Sequence, residues 1–242
     1  EHRVAARTAE LERSNRELDR FAYVASHDLK APLRAIDHLA AWIAEDAGGT
    51  LSPATQDHLA KLRGRARRME GLLDGLLHYS RAGRRHYPAQ WLDTPAVVRD
   101  LAELLHPPPG FQVVIEGDLP PVYCEHAPFE TLLRNLIGNA IKHHDRPHAG
   151  KVTISAALRG DFVEFRVRDD GPGIDPQYHA RIFEVFQTLR PRDEVEGSGM
   201  GLALVRRLVE LRGGTIEVEP AAPRGVTFRF TWPKEIPGTE AR

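Results

Sequence analysis

Apolar residues recur with a helical period through the first third of the chain and with a period of two through much of the rest. From about residue 3 to 46 the sequence is rich in Ala, Leu, Glu and Arg, and no glycine appears before Gly48, which predicts one long helix. Val4, Leu11, Leu18 and Ala25 fall seven apart, but the companion seam positions Arg7 and Ser14 are polar, so the leading part makes only a weak coiled coil. Ala22, Ser26, Leu29, Leu33, Ile36, Ala40 and Ile43 then step by four and three, a better core stripe. GGTLSP at 48–53 interrupts the pattern, with Ser52 placed to cap a second helix and Pro53 in its first turn. That helix runs to about Arg81 on Leu59, Leu62, Ala66, Met69, Leu73, Leu76 and Ser80. Two long helices on a short loop are antiparallel neighbours, and a lone pair shelters its apolar stripes poorly. The prediction is therefore a homodimer in which two hairpins form a four-helix bundle.

AGRRHYP at 82–88 is basic and carries Gly and Pro, and beyond it the period changes. A short strand, a helix over Pro95 to Leu105, the strand FQVVIEG (111–117) and a helix from about Pro128 to His143 are expected. Residues 150–171 alternate around Arg159-Gly160-Asp161 as a hairpin. A last helix, Met200 to Arg212, stops at Gly213-Gly214, and the strands TIEVEP and GVTFRFTWP close the pattern. Helices interspersed with antiparallel strands predict an α+β sandwich, one sheet covered on one face by helices. The expected parts are a leading coiled-coil helix (1–20), the helical hairpin (21–83), a linker (84–90), the sandwich domain (91–234) and a tail (235–242).

Composition narrows the function. The 33 Lys and Arg nearly cancel the 34 Asp and Glu, which argues against a nucleic-acid partner. Cys124 is the single cysteine, so no internal disulfide or cysteine zinc cluster can form, and a reducing, cytoplasmic setting is expected. No apolar run approaches the ~18 residues that span a bilayer. The chain opens in mid-pattern without Met, as expected of the C-terminal portion of a longer protein whose N-terminal part feeds into this helix.

Three stretches of the sandwich domain carry chemistry. In NLIGNAIKHH, Asn135, Asn139 and Lys142 share a helical face, where an amide can ligand Mg²⁺ and a lysine can neutralise phosphate. In VRDDGPGI, Asp169, Gly171 and Gly173 form DxGxG at a strand end, suited to an exocyclic amine and a closely approaching ring. In EGSGMGLALV, Gly197, Gly199 and Gly201 open a helix whose free N–H groups favour phosphate. No Gly-Lys-Ser/Thr or dinucleotide fingerprint is present. Singly, each motif also reads as an ordinary polar face or turn. A metal site at His143, His144 and His148 is a disfavoured alternative: they lie at a helix end, but beyond Asp145 no carboxylate is placed to support them.

In this order, with IFEVF (Phe183, Phe186) between the last two, the motifs resemble the N, G1, F and G2 boxes of sensor histidine kinases, and 27-HDLKAPLR-34 resembles their H box. The likeness covers about residues 20 to 233 and leans toward kinases coupled to PAS, LOV or phytochrome sensors. It implies a dimeric hairpin followed by a Bergerat-type ATP-binding sandwich that uses ATP and Mg²⁺. It implies that Asp169 binds the adenine amine with help from Thr227, and that Gly171, Gly173 and Ile174 line the adenine pocket. Asn139 is the implied metal ligand, with Asn135, Lys142 and His143 near the phosphates. Gly197, Gly199, Gly201 and Leu202 complete the nucleotide site, and Phe183 and Phe186 with 187–199 form a lid. His27 is the implied phosphoryl acceptor, with Asp28 as base or orienting group and an aspartate of a response-regulator receiver domain as the next acceptor. Where kinases that also act as phosphatases carry Thr or Asn, this chain has Ala31, which argues against hydrolysis of the partner's phosphoryl group. Pro32 removes a helical N–H near His27 and is expected to bend the helix there. Two alternatives stay open: an ATP hydrolase of the gyrase and heat-shock chaperone type, disfavoured because Asn135 replaces the glutamate base, and a non-catalytic dimeric scaffold.

Overall fold

The computed structural model describes residues 26, 28–83, 88–189 and 198–235, in two compact units. The predicted coiled coil and almost all of the tail lie outside the described residues.

The first unit holds the hairpin. Helix α1 (residues 28–46) continues through Pro32, and α2 (Pro53–Arg81) follows a short turn. Ser52 caps α2 as its position suggests, its Oγ accepting the Thr55 N–H at 3.2 Å. Side chains set the antiparallel register. Lys30 pairs with Asp74, Arg34 Nε donates to Glu70 Oε1 at 2.7 Å, and Asp37 accepts from Arg63 at 3.0 Å and Arg67 at 3.2 Å. Steps of four and three along α1 are met by equal steps back along α2. Leu33 and Ala40 are buried between the helices, yet Leu29, Ile36 and Ile43 of the same stripe are 51, 42 and 53 % exposed. Trp42, Leu62 and Met69 add to this uncovered apolar surface.

The second unit is the sandwich. Strand β1 (Ala89–Leu92) pairs antiparallel with β3 (Val122–Glu125) in a small separate sheet. β3 is an element the sequence pattern did not predict, and β1 begins inside the expected linker. Helix α3 (Thr94–Leu104) starts at Asp93, whose carboxylate accepts the Ala96 N–H at 3.2 Å. The main sheet takes β2 (Gln112–Ile115), β4 (Lys151–Arg159), β5 (Phe162–Asp169), β6 (Ile216–Pro220) and β7 (Val226–Pro233) in the order β2-β4-β5-β7-β6. The expectation of antiparallel pairing throughout is corrected at one edge, where β2 runs parallel to β4. Such a pairing needs a crossover, and α4 (His126–Lys142) lies in it.

Alternation along β5 and β7 buries Val163, Phe165, Val167, Val226, Phe228, Phe230 and Trp232 on the helix side. Phe129 of α4 packs between Phe165 and Trp232, with ring centroids 5.5 Å from each. Helix α5 (Gly201–Glu210) buries Ala203, Leu204, Val205, Leu208 and Val209. Its end is tied to the start of α4 by a buried ion pair between Arg212 and Glu125. The opposite face of the sheet is polar, carrying Arg166, Arg168, Thr227 and Arg229. Arg229 pairs there with Glu164, Glu217 and Glu219.

Candidate nucleotide-binding site

β5 delivers Asp169 at its end, where strand alternation turns it toward the helices. The residue is 8 % exposed. Its Oδ1 accepts the backbone N–H groups of Gly171 at 2.9 Å and Val226 at 3.3 Å, while no described residue hydrogen-bonds Oδ2. Burial pushes the carboxyl above its ordinary range, against the opposing pull of those two N–H groups and of nearby His144. One oxygen is thus pinned, and the other remains able to accept an amine.

The glycines around it are close-approach positions. Gly173 has φ 79°, and a Cβ there would lie 3.1 Å from the Gly225 carbonyl oxygen. Gly225, with φ 99°, lies so close beneath Asp169 that a Cβ would come within 1.9 Å of the Asp169 carbonyl oxygen. Ile174 and Leu202 are partly buried against the main core.

On α4, Asn135 donates to the Thr131 carbonyl at 2.7 Å, and its Oδ1 lies where a Cβ on Gly201 would meet it at 2.7 Å. The α5 N-terminus therefore sits against the asparagine face of α4. No acidic residue occupies the first turn of α5, so its positive end is not neutralised locally. Asn139 is half-buried, and no described residue hydrogen-bonds its side-chain amide. Lys142 and His143 are exposed at the C-terminal end of the same helix. An unengaged amide and a bare helix end suit the metal and phosphate parts of a nucleotide, while Asp169 suits its base.

Comparison with known families supplies the deciding observation. Residues 125–236 match the family model for the histidine kinase-, DNA gyrase B- and HSP90-like ATPases, and residues 17–85 match the His kinase A phospho-acceptor domain. The chain belongs to the sensor histidine kinases. Cyanobacterial phytochrome B of Nostoc sp. strain PCC 7120 is 38% identical over 94% of this chain and 31% of its own length. The crystal structure of full-length ShkA in complex with AMPPNP superposes with a TM-score of 0.65 at 28% identity, over 88% of this chain and 45% of that one. ThkA solved in complex with the response regulator protein TrrA shares the fold, with a TM-score of 0.62 at 19% identity over 96% of this chain and 67% of that one. The chain spans about a third of the length of the phytochromes it matches. Among the described residues, no helix is long and apolar enough to cross a membrane.

Within the family boxes some positions differ from expectation. Thr227 is paired with Arg168 and faces the polar side of the sheet, away from Asp169; the β7 residue that reaches the carboxylate is Val226, through its backbone N–H. One residue on a strand changes the face. Phe183 is buried edge-on against Phe228 and belongs to the core, whereas Phe186 is 42 % exposed with φ 64°. Gly199, with φ 66°, falls in the first unit, and Gly197 and most of the expected lid lie outside the described residues. His27 also lies outside them, while Asp28 is exposed on α1. The histidine metal site is not formed. His144 Nδ1 accepts the Arg146 N–H, His148 Nδ1 is engaged with the Pro109 carbonyl, and no metal-holding cluster of His, Cys, Asp or Glu occurs among the described residues. Sequence reading missed Val226, Gly225 and Arg224; the alternation of β7, aligned on Phe228 and Phe230, was the signal for the first.

Proposed function

We propose that this chain is the catalytic core of a homodimeric sensor kinase that moves the γ-phosphoryl group of ATP to His27 and then to an aspartate of a response-regulator receiver domain. The observation that carries this reading is the Asp169 carboxylate, held through Oδ1 by two backbone N–H groups with Oδ2 left to accept the exocyclic amine of adenine. Asn139, whose amide has no partner among the described residues, would ligand Mg²⁺. When bound, that ion would neutralise charge on the phosphate oxygens. The α5 N-terminus at Gly201, with Lys142 and His143, would receive the phosphate chain.

In the transfer, a neutral imidazole nitrogen of His27, Nε2 in our reading, attacks the γ-phosphorus. The N–P bond forms as the bridging P–O bond breaks, and ADP departs with the electron pair. Asp28 orients the ring or takes its proton. A hydrolase reading is weaker, because Asn135 donates into its own helix and offers no carboxylate to activate water. The apolar faces of α1 and α2 support a second copy of the hairpin as their cover, and an upstream sensor domain on the full-length protein would act through residues 1–20. With Ala31 beside the acceptor, phosphatase activity on the receiver is expected to be weak.

Incubation with γ-labelled ATP should place acid-labile, base-stable label on the protein. His27→Ala should abolish it while leaving nucleotide affinity intact. Release of free phosphate without protein label would refute the proposal.

A further inference from the structure

The histidine run that makes no metal site has a different place in the fold. His144 follows α4, and its side chain is fully sealed from solvent. The ring sits in a box. Phe111 meets it edge-on at 5.4 Å, and Gly150 leaves the space it needs, since a Cβ there would lie 2.8 Å from both Cε1 and Nδ1. Nδ1 accepts the Arg146 N–H at 2.9 Å, so in the neutral ring the proton is on Nε2, which donates to Asp170 Oδ1 at 2.9 Å. That same carboxylate oxygen accepts the Lys151 N–H at 2.7 Å. A second tie comes from Arg224, whose Nε donates to the Gly171 carbonyl at 2.9 Å while Nη2 donates to Asp145 Oδ2 at 2.7 Å. The two residues after Asp169 are thus fastened from behind, both to the corner 144–146.

We infer that His144 with Asp170, and Arg224 with Asp145, are positioning residues that hold the 169–171 turn in register and so set the selectivity of Asp169 for an adenine over a guanine base. Adenine presents an amine donor where guanine presents a carbonyl, so discrimination depends on where Oδ2 is aimed. Gly171 N–H fixes Oδ1, and Gly171 is itself fixed by Arg224. Its neighbour Asp170 is fixed by His144. Freeing either tie lets the carboxylate rotate or shift, and a displacement of about 1 Å is enough to degrade recognition. Both ties act on the turn behind Asp169 and not on the proposed acceptor or phosphate residues, so the rate at saturating nucleotide is expected to be left nearly alone.

This inference rests on the reading of Asp169 as the base acceptor. The test uses the full chain, with Kd for ATP and GTP and the rate of self-labelling at saturating ATP. His144→Ala and Arg224→Gln should each weaken ATP about tenfold and reduce the ATP-to-GTP preference by a similar factor, with the saturating rate changed by less than about twofold. His144→Gln should recover much of the preference, because its amide N–H reaches as far as Nε2; His144→Asn should not. Arg224 is only half-buried, so its variant keeps the test informative if loss of the fully buried His144 ring unfolds the domain. Folded variants that retain the parent preference would overturn the inference while leaving the nucleotide site in place. A parent chain with no preference for ATP would overturn the role of Asp169 itself, and the inference with it.

Discussion

Asp169→Asn should strengthen the fold and ruin the site. The two backbone donors, Gly171 and Val226, both point at Oδ1. An asparagine must keep its carbonyl oxygen there, because the opposite flip would set its amine against two N–H groups. The amine is then forced into the position of Oδ2 and faces the amine of the incoming base. A hydrogen bond to a charged group contributes about 1.5–3 kcal/mol, and its loss alone corresponds to roughly a 10- to 150-fold rise in Kd for ATP. Stability moves the other way. Burial raises the Asp169 carboxyl in the folded chain, so the native state holds this proton more tightly than the unfolded state does. The stability it contributes is fully present below the unfolded value and is lost as pH rises through the folded one, leaving a buried charge that costs stability at neutral pH. Asparagine removes that cost. Titration with a fluorescent ATP analogue and thermal melts without nucleotide, at pH 7.5 and again near pH 4.5, measure both effects. The variant should melt higher than the parent at the upper pH, with the gap narrowing in acid. A Kd within about threefold of the parent, or a lower melting temperature at neutral pH, would refute the reasoning.

Gly225→Ala should lower unfolding free energy by about 2–5 kcal/mol in chemical denaturation, since it combines a steric overlap with a left-handed backbone. Introducing Ile36→Glu with Ile43→Glu puts charges on the uncovered face of α1; sedimentation should shift from dimer to monomer while ATP affinity stays at the parental value. Cys124 is buried, and its thiol is pushed up to about 12, chiefly by that burial. At pH 8 its thiolate fraction is then on the order of 10⁻⁴, so a thiol reagent should label the native chain very slowly and the unfolded chain at once.

What was legible in the sequence had local causes. The stripes of α1 and α2, the cap at Ser52 and the 150–171 hairpin each depend on neighbours within a few residues, and the described residues show them close to where the pattern puts them. β3 was not legible, because VYCE is four residues long and follows two prolines. Its strand character comes from pairing with β1, far away in the chain. The parallel contact of β2 with β4 is likewise set across α4 and leaves no trace in spacing. Thr227 and Val226 differ by one position, and the alternation that sends Phe228 and Phe230 into the core also turns Val226, not Thr227, toward Asp169. The resemblance puts Phe183 in the lid, yet its ring packs edge-on against Phe228 in the core. The enclosure of His144 is not legible, because nothing in the sequence shows that Gly150 and Phe111 wall it in.

The buried link between Arg212 and Glu125 has one more consequence. It couples the far end of α5 to the beginning of α4, and Gly201 meets Asn135 along the same helix pair. The pair holds these two helix ends together at the edge of the core. Asn135 and the first turn of α5, the proposed phosphate end of the site, therefore already lie against each other without nucleotide. Phosphate binding there, as proposed, would be docking into a preorganised cradle, with little ordering entropy left to lose.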